Sequence, residues 1–375
     1  MYKTQIRSLL IHSILAVAAL AVVAGISAPV SLAHGHSGAV YVLTNQSTGN
    51  SVMVFRRAPD GALSFAGTFM TGGKGAGTGA DPLGSQGALM LGRGHRLLFA
   101  VNAGSNDVSV FAVRRDRLQL LDRVPSGGQM PVSITVHGRL VYVLNAGGVP
   151  NIKGFIIDPC PNHLVPLRGS RRRLSGGSAA APAEVSFSPD GGVLMVTEKG
   201  TSKIDTYTVN DDGYASDRMA TASNGSTPFG FAFIHRDIAV VSEAGPGALS
   251  SYDVDEDGNL EVVTGSMSDG QKAGCWVVVT ADGRYAYLAN SASNSIGSYT
   301  VTRDGDLSLL NPVAALSGSG SIPIDMALST DSRFLYVRNG GNNTVAAYKV
   351  ESDGSLTSVG AVDGIPAGAQ GIAAR

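Results

Sequence analysis

The sequence repeats one short phrase seven times, and that repetition limits what the chain can fold into. In its clearest form the phrase reads Tyr142-Val143-Leu144-Asn145. It returns as Phe99-Ala100-Val101-Asn102, Tyr287-Leu288-Ala289-Asn290 and Tyr336-Val337-Arg338-Asn339, and it first occurs as Tyr41-Val42-Leu43-Thr44-Asn45. Two copies end in an acid instead, Met195-Val196-Thr197-Glu198 and Val240-Val241-Ser242-Glu243. A few small residues follow each copy, then a β-rich run that ends near an aromatic: Phe55, Phe111, Phe155, Tyr207, Tyr252, Tyr299 or Tyr348. The seven terminal Asn or Glu positions stand 43 to 57 residues apart, 49 on average.

Each repeat has the same internal grammar. An apolar strand over 182–188 runs into the turn Pro189-Asp190-Gly191. The phrase follows as a second strand, and an alternating third strand spans Ile204-Asp205-Thr206-Tyr207-Thr208-Val209. A second Asp-Gly turn then leads to a weaker fourth strand. Period-2 alternation bounded by Asp-Gly is a hairpin signal. The 49 glycines among 375 residues suit a chain with many turns at positive φ. No convincing helical period occurs after residue 33. Four strands per unit of this length, repeated seven times, predict an all-β seven-bladed β-propeller. Radial packing buries sheet faces that one sheet alone leaves exposed.

The chain ends predict how the ring closes. The first repeat begins at its second strand, without an inner strand. Residues Gln370-Gly371-Ile372-Ala373-Ala374 form an orphan strand that resembles Gln86-Gly87-Ala88-Leu89-Met90. The C-terminal strand is therefore expected to complete the first blade.

Residues 1–33 read as a signal peptide. Lys3 and Arg7 precede an apolar run over 14–24, and Ser31-Leu32-Ala33 forms a small-x-small cleavage site. An uncleaved anchor is the alternative. Residues 34–375 are then one propeller domain, periplasmic or secreted, with no membrane association after cleavage. This mature part has 26 Lys and Arg against 29 Asp and Glu, a balance that gives no support to nucleic-acid binding. It is expected to be a monomer. Cys160 and Cys275 fall in different repeats and read as two separate thiols. The stretch Gly72-Gly73-Lys74-Gly75-Ala76-Gly77-Thr78-Gly79 lacks phosphate-loop spacing and reads as a flexible inter-blade loop.

The Tyr-Val-x-Asn phrase, the Pro-Asp-Gly-type turns and the repeat length resemble the lactonase-type seven-bladed β-propellers. These are the 6-phosphogluconolactonase and carboxymuconate-cyclase families, with the related YVTN repeat proteins. Residues 197–205 and 227–233 look like an exported bacterial branch, and the resemblance covers residues 38–375. It implies that a lactone ring is opened or closed at one end of the channel, by a His and Arg residues with a Glu. In this sequence no His stands at the start of an inner strand.

Aligning the inner strands gives one channel-facing position per blade: Gly87, Ser133, Glu184, Gly230, Cys275, Asp325 and Gly371, with Gln86 and Gln370 beside them. The candidate general bases are Glu184, Asp325 and the phrase-ending Glu198 and Glu243. Arg338 is the candidate anion holder. Gln86, Ser133, Lys199, Lys272 and Gln370 are the candidate ligand-binding residues. Glu198 and Glu243 also read as residues that bond loop N–H groups. No cofactor and no metal are expected. The resemblance implies an exported hydrolase opening a small sugar-acid or related lactone, and these residues would then act with water as nucleophile. The alternative is a non-catalytic propeller that binds a protein, glycan or small ligand.

Overall fold

The computed structural model describes residues 38–160, 162–235 and 237–375. The expected signal peptide lies outside the described residues. Among them, no helix is long and apolar enough to cross a membrane.

Seven antiparallel sheets follow one another along the chain. Six have four strands; in blade 3 two short pieces, Leu164–Pro166 and Arg172–Arg173, share the outer place. Every copy of the phrase is the second strand of its blade. The copies at Leu97–Asn102, Val193–Glu198, Ile238–Glu243, Tyr285–Asn290 and Phe334–Asn339 are buried along their whole length. Both faces of these strands meet a neighbouring blade, so their apolar runs are continuous. The outer strands have one face in solvent and no fully buried residue, as in Leu63–Met70 and Leu260–Ser268.

Blade 1 is closed by the C-terminus. Strand Ile372–Ala374 pairs with Gly38–Leu43 in the register Val42 to Ile372, Tyr41 to Ala373 and Val40 to Ala374. The Leu43 N–H donates to the Gly371 carbonyl at 2.9 Å and the Arg375 N–H to that of Ala39 at 2.9 Å.

A repeated bond ties each of five blades to the next. The hydroxyls of Tyr142, Thr206, Ser251, Tyr287 and Tyr336 donate to the carbonyls of Gly213, Gly258, Gly305, Gly354 and Gly61, at 2.7 to 3.0 Å. Each acceptor is the glycine of the next blade's Asp-Gly turn, held at φ between 82° and 93°. At Gly61 and Gly354 an added Cβ would strike the Phe334 and Tyr285 rings. Glycine is therefore required both for the turn and for the approach of the neighbour.

One expectation changes. The inner strand of blade 2 spans Leu89–Gly92 and starts three residues after Gln86. The preceding residues leave the blade and cross the channel.

Candidate functional site

Inner strands of blades 3 to 7 share a defect at their starts. The ladder to the second strand shifts register between Pro131 and Ser133, Pro182 and Val185, Pro228 and Phe231, Gly274 and Trp276, and Ile324 and Met326. A bulge re-aims the side chains within it. Glu184, Cys275 and Asp325 lie in these bulges. Each is preceded, within three residues, by a non-glycine at positive φ: Ala181, Ala273 and Ile322.

The glycine-rich stretch is packed as a strap rather than free as a loop. The Gly75 N–H donates to the Gln46 carbonyl at 2.8 Å and the Gly77 N–H to that of Asn45 at 3.0 Å. Asn45 Oδ1 accepts from the Ala76 N–H at 2.8 Å. A Cβ on Gly75 would collide with the Asn45 backbone, and one on Gly104 with the Gly75 carbonyl. Alternating glycines let main chain lie directly on main chain.

From there the segment crosses the channel. Gln370, fully buried, clamps it: Oε1 accepts the Leu83 N–H at 2.8 Å and Nε2 donates to the Ser85 carbonyl at 3.0 Å. The same carbonyl accepts from Trp276 Nε1 at 2.9 Å. Gln86 reaches the far side, donating to the Val277 carbonyl at 3.0 Å and accepting its N–H at 3.1 Å. Residues 83–87 thus plug the channel between blades 1, 3, 4, 5 and 6.

Two titratable groups meet above the plug. Asp81 caps its own turn by accepting the Gly84 N–H at 2.9 Å. Lys199 donates to the Gly84 carbonyl, and its ammonium sits 4.7 Å from the centroid of Phe229. A methyl on Gly84 would lie 2.9 Å from Lys199 Nζ and 3.9 Å from Asp81 Oδ2. Phe229 packs on Trp276 at 4.7 Å between ring centroids. Asp81 is exposed, yet it faces a recess surrounded by protein. Desolvation there raises its pKa above the usual carboxylate range, while Lys199 and the Gly84 N–H oppose the rise. Burial lowers the Lys199 pKa, and Asp81 opposes that fall. Sequence reasoning missed Asp81, because a lone Asp-Pro in a glycine-rich connection looks like a turn. The longest spacing between phrases, 57 residues, was the available signal.

The sequence-derived candidates separate into distinct places. Glu184 and Asp325 are in the channel wall under the plug. Glu184 Oε2 accepts the Phe231 N–H at 2.7 Å. Burial raises its pKa well above the ordinary value; the Phe231 N–H opposes this and Asp325 adds to it. Burial likewise pushes Asp325 up to about 8. Burial thus favours the protonated form of both acids. Ser133 is buried and accepts the Val185 N–H at 3.2 Å. Cys275, next to the Asp81 and Lys199 recess, is a free thiol that burial pushes up to about 12.

Glu198, Glu243 and Arg338 serve loops. Glu198 accepts the Gly176 N–H at 3.1 Å and bonds the Thr201 hydroxyl. Burial opposes its ionisation, but Thr201 and Gly176 hold its pKa below the usual value. Its neighbour Asp205 is pushed up to about 7, by burial and then by Glu198. Glu243 accepts the Gly225 N–H at 2.7 Å and the Ser250 hydroxyl at 2.6 Å. Arg338 is fully buried and donates to the carbonyls of Ala369 at 3.0 Å and Pro366 at 3.2 Å, and to that of Asn339. Its guanidinium anchors the closing segment. Lys272 is exposed, its N–H bonded to Ser293 Oγ at 2.9 Å. Among the described residues no cluster of three or more His, Cys, Asp or Glu is placed to hold a metal ion.

Residues 235–325 match the family described as lactonase, 7-bladed beta-propeller. Among solved structures, the periplasmic gluconolactonase of Pseudomonas aeruginosa aligns with a TM-score of 0.70 at 18% identity, over 88% of this chain and 98% of that one. A candidate 6-phosphogluconolactonase from Bacteroides fragilis aligns at 0.70 and 18%, over 90% and 98%. A protein from Lactobacillus plantarum aligns at 0.73 and 17%, over 90% and 99%. No curated protein sequence matches.

Proposed function

We propose that this chain, a seven-bladed β-propeller whose residues 235–325 match the lactonase family, hydrolyses a small lactone at the Asp81 and Lys199 end of its channel. The reading rests on one observation. A carboxylate with a raised pKa and a lysine with a lowered one converge over Gly84, beside the Phe229 and Trp276 rings. Asp81 takes a proton from water as its oxygen attacks the lactone carbonyl carbon. The tetrahedral oxyanion forms beside the Lys199 ammonium. As the ring C–O bond breaks, the leaving oxygen takes the proton back from Asp81, and the product is a hydroxy acid. The aromatic pair offers an apolar floor for the ring. Gln370 and Gln86 fix the plug that carries Asp81. The buried acids below have no part in the step. The reading includes export and removal of residues 1–33.

The test is a panel of sugar-acid and simple lactones with purified protein. Asp81→Asn is expected to lower kcat by roughly 10²–10⁴, and Lys199→Met by roughly 10²–10³, with Tm little changed. Turnover that survives both substitutions would remove this site. No turnover on any lactone, with a ligand retained at the recess, would favour the non-catalytic binder. That second reading draws on the strand ends, where Asn145, Asn290, Asn339 and Glu243 each keep one buried side-chain oxygen without a hydrogen-bond partner.

A further inference from the structure

The charge is divided unequally around the ring. Residues 89–173, blades 2 and 3, contain twelve Lys and Arg against four Asp and Glu. Residues 182–362, blades 4 to 7, contain ten against twenty-two. A near-neutral chain thus has one strongly basic sector.

The basic sector contains a groove of about 530 Å³ between blades 2 and 3. Arg93 follows the end of an inner strand and Leu97 begins a second strand, so the groove opens on the face opposite the plug. Arg93, Arg96 and Arg114 line it, and none of its lining residues is an acid. Leu97 and Leu121 form part of its apolar floor. Arg93 is held at φ 50° and donates to Asn162 Oδ1 at 2.8 Å, which fixes its guanidinium against the blade 3 wall. Arg96 and Arg114 are exposed. The four acids of this sector are occupied elsewhere. Asp107 pairs with Arg123 at 3.0 Å, and Asp116 with Arg56 at 2.6 Å. Asp122 pairs with His163 at 3.2 Å, and Asp158 accepts the Cys160 N–H at 3.1 Å.

We infer that this groove binds a small, multiply charged oxyanion of the phosphoryl class. Three guanidinium forks around one space repel each other unless an anion of comparable charge lies between them. Guanidinium geometry matches the oxygens of phosphate bidentately. Carboxylates carry one charge each, so an oligophosphoryl compound supplies the required charge in the smallest volume. The groove is too large for one phosphate and is of the size that holds a small organic ligand. The basic sector would steer such an anion toward it.

The test is calorimetric titration of the full protein with inorganic tripolyphosphate at low salt. Micromolar binding is expected, with an affinity that falls steeply as salt rises. Arg93→Gln/Arg96→Gln/Arg114→Gln should weaken it at least 30-fold, and Arg303→Gln, in the acidic sector, should leave it unchanged. Should the triple variant lose its fold by circular dichroism, Arg96→Gln and Arg114→Gln, at exposed positions, should each weaken binding several-fold. Absence of binding, or wild-type affinity in the folded variants, would overturn the inference. So would attachment to phosphatidylglycerol vesicles without tripolyphosphate binding, which would point to a lipid surface. Lactone turnover is a separate readout, so either proposal can fail alone.

Discussion

Asp325 is held at φ 53° in a bulge, with its Oδ1 on the Met326 N–H at 3.0 Å and its Oδ2 unpartnered. Burial pushes its pKa to about 8, against 3.8 for a free side chain. The folded state therefore holds this proton more tightly than the unfolded chain. Its contribution to stability is complete below pH 4 and is lost as pH rises towards 8. Asp325→Asn should flatten the decline of Tm between pH 4 and 8. At about 1.4 kcal/mol per pH unit, the difference from wild type should grow with pH to on the order of 5 kcal/mol, or roughly 10 °C, at pH 8. A parallel pair of Tm curves would show that Asp325 ionises freely in the fold. At the recess the shifts have the opposite use. Turnover needs Asp81 ionised and Lys199 charged. The kcat/KM profile should be a bell, with its acid limb above the usual carboxylate value and its alkaline limb below the usual lysine value. An acid limb that persists in Asp81→Asn would assign it to another group.

At the scale of strands and loops, the phrase aromatic and the Asp-Gly glycine turn out to be two halves of one contact. Tyr336 donates across the blade boundary to Gly61, at 3.0 Å. Tyr336→Phe leaves a buried carbonyl unpaired and should cost about 1–3 kcal/mol, read as a lower urea midpoint at unchanged slope. Both residues were visible in the sequence as strand and turn signals. Their contact was not, because it joins positions 275 residues apart. The strap teaches the converse. Its glycines suggested freedom, but main-chain contacts with Asn45 and Gly104 leave no room for a side chain. Gly75→Ala should lower Tm and lactone turnover together, whereas Gly49→Ala, where an added Cβ makes only an ordinary contact with Met70, should change neither. Equal effects would mean that the strap yields freely.

At the scale of the molecule, the ring depends on its last residues. The segment 369–375 supplies an inner strand, the Gln370 clamp on the plug and the carbonyl that Arg338 anchors. Deleting it should lower Tm by many degrees in one cooperative transition and abolish turnover. An unchanged Tm would mean that the closure adds nothing to stability. The sequence by itself determined the repeat count, the strand order within each blade and the closure, because these follow from period-2 patterning and turn chemistry, which are local. Only the tertiary structure decided the site. Whether Glu184, Glu198, Asp325 or Arg338 faces water depends on bulges, on the crossing segment and on bonds from distant loops. Asp81 and Lys199 flank Gly84 because a strap anchored on blade 1 reaches blade 4, where Lys199 bonds the Gly84 carbonyl, a contact between positions 115 residues apart that no local pattern encodes.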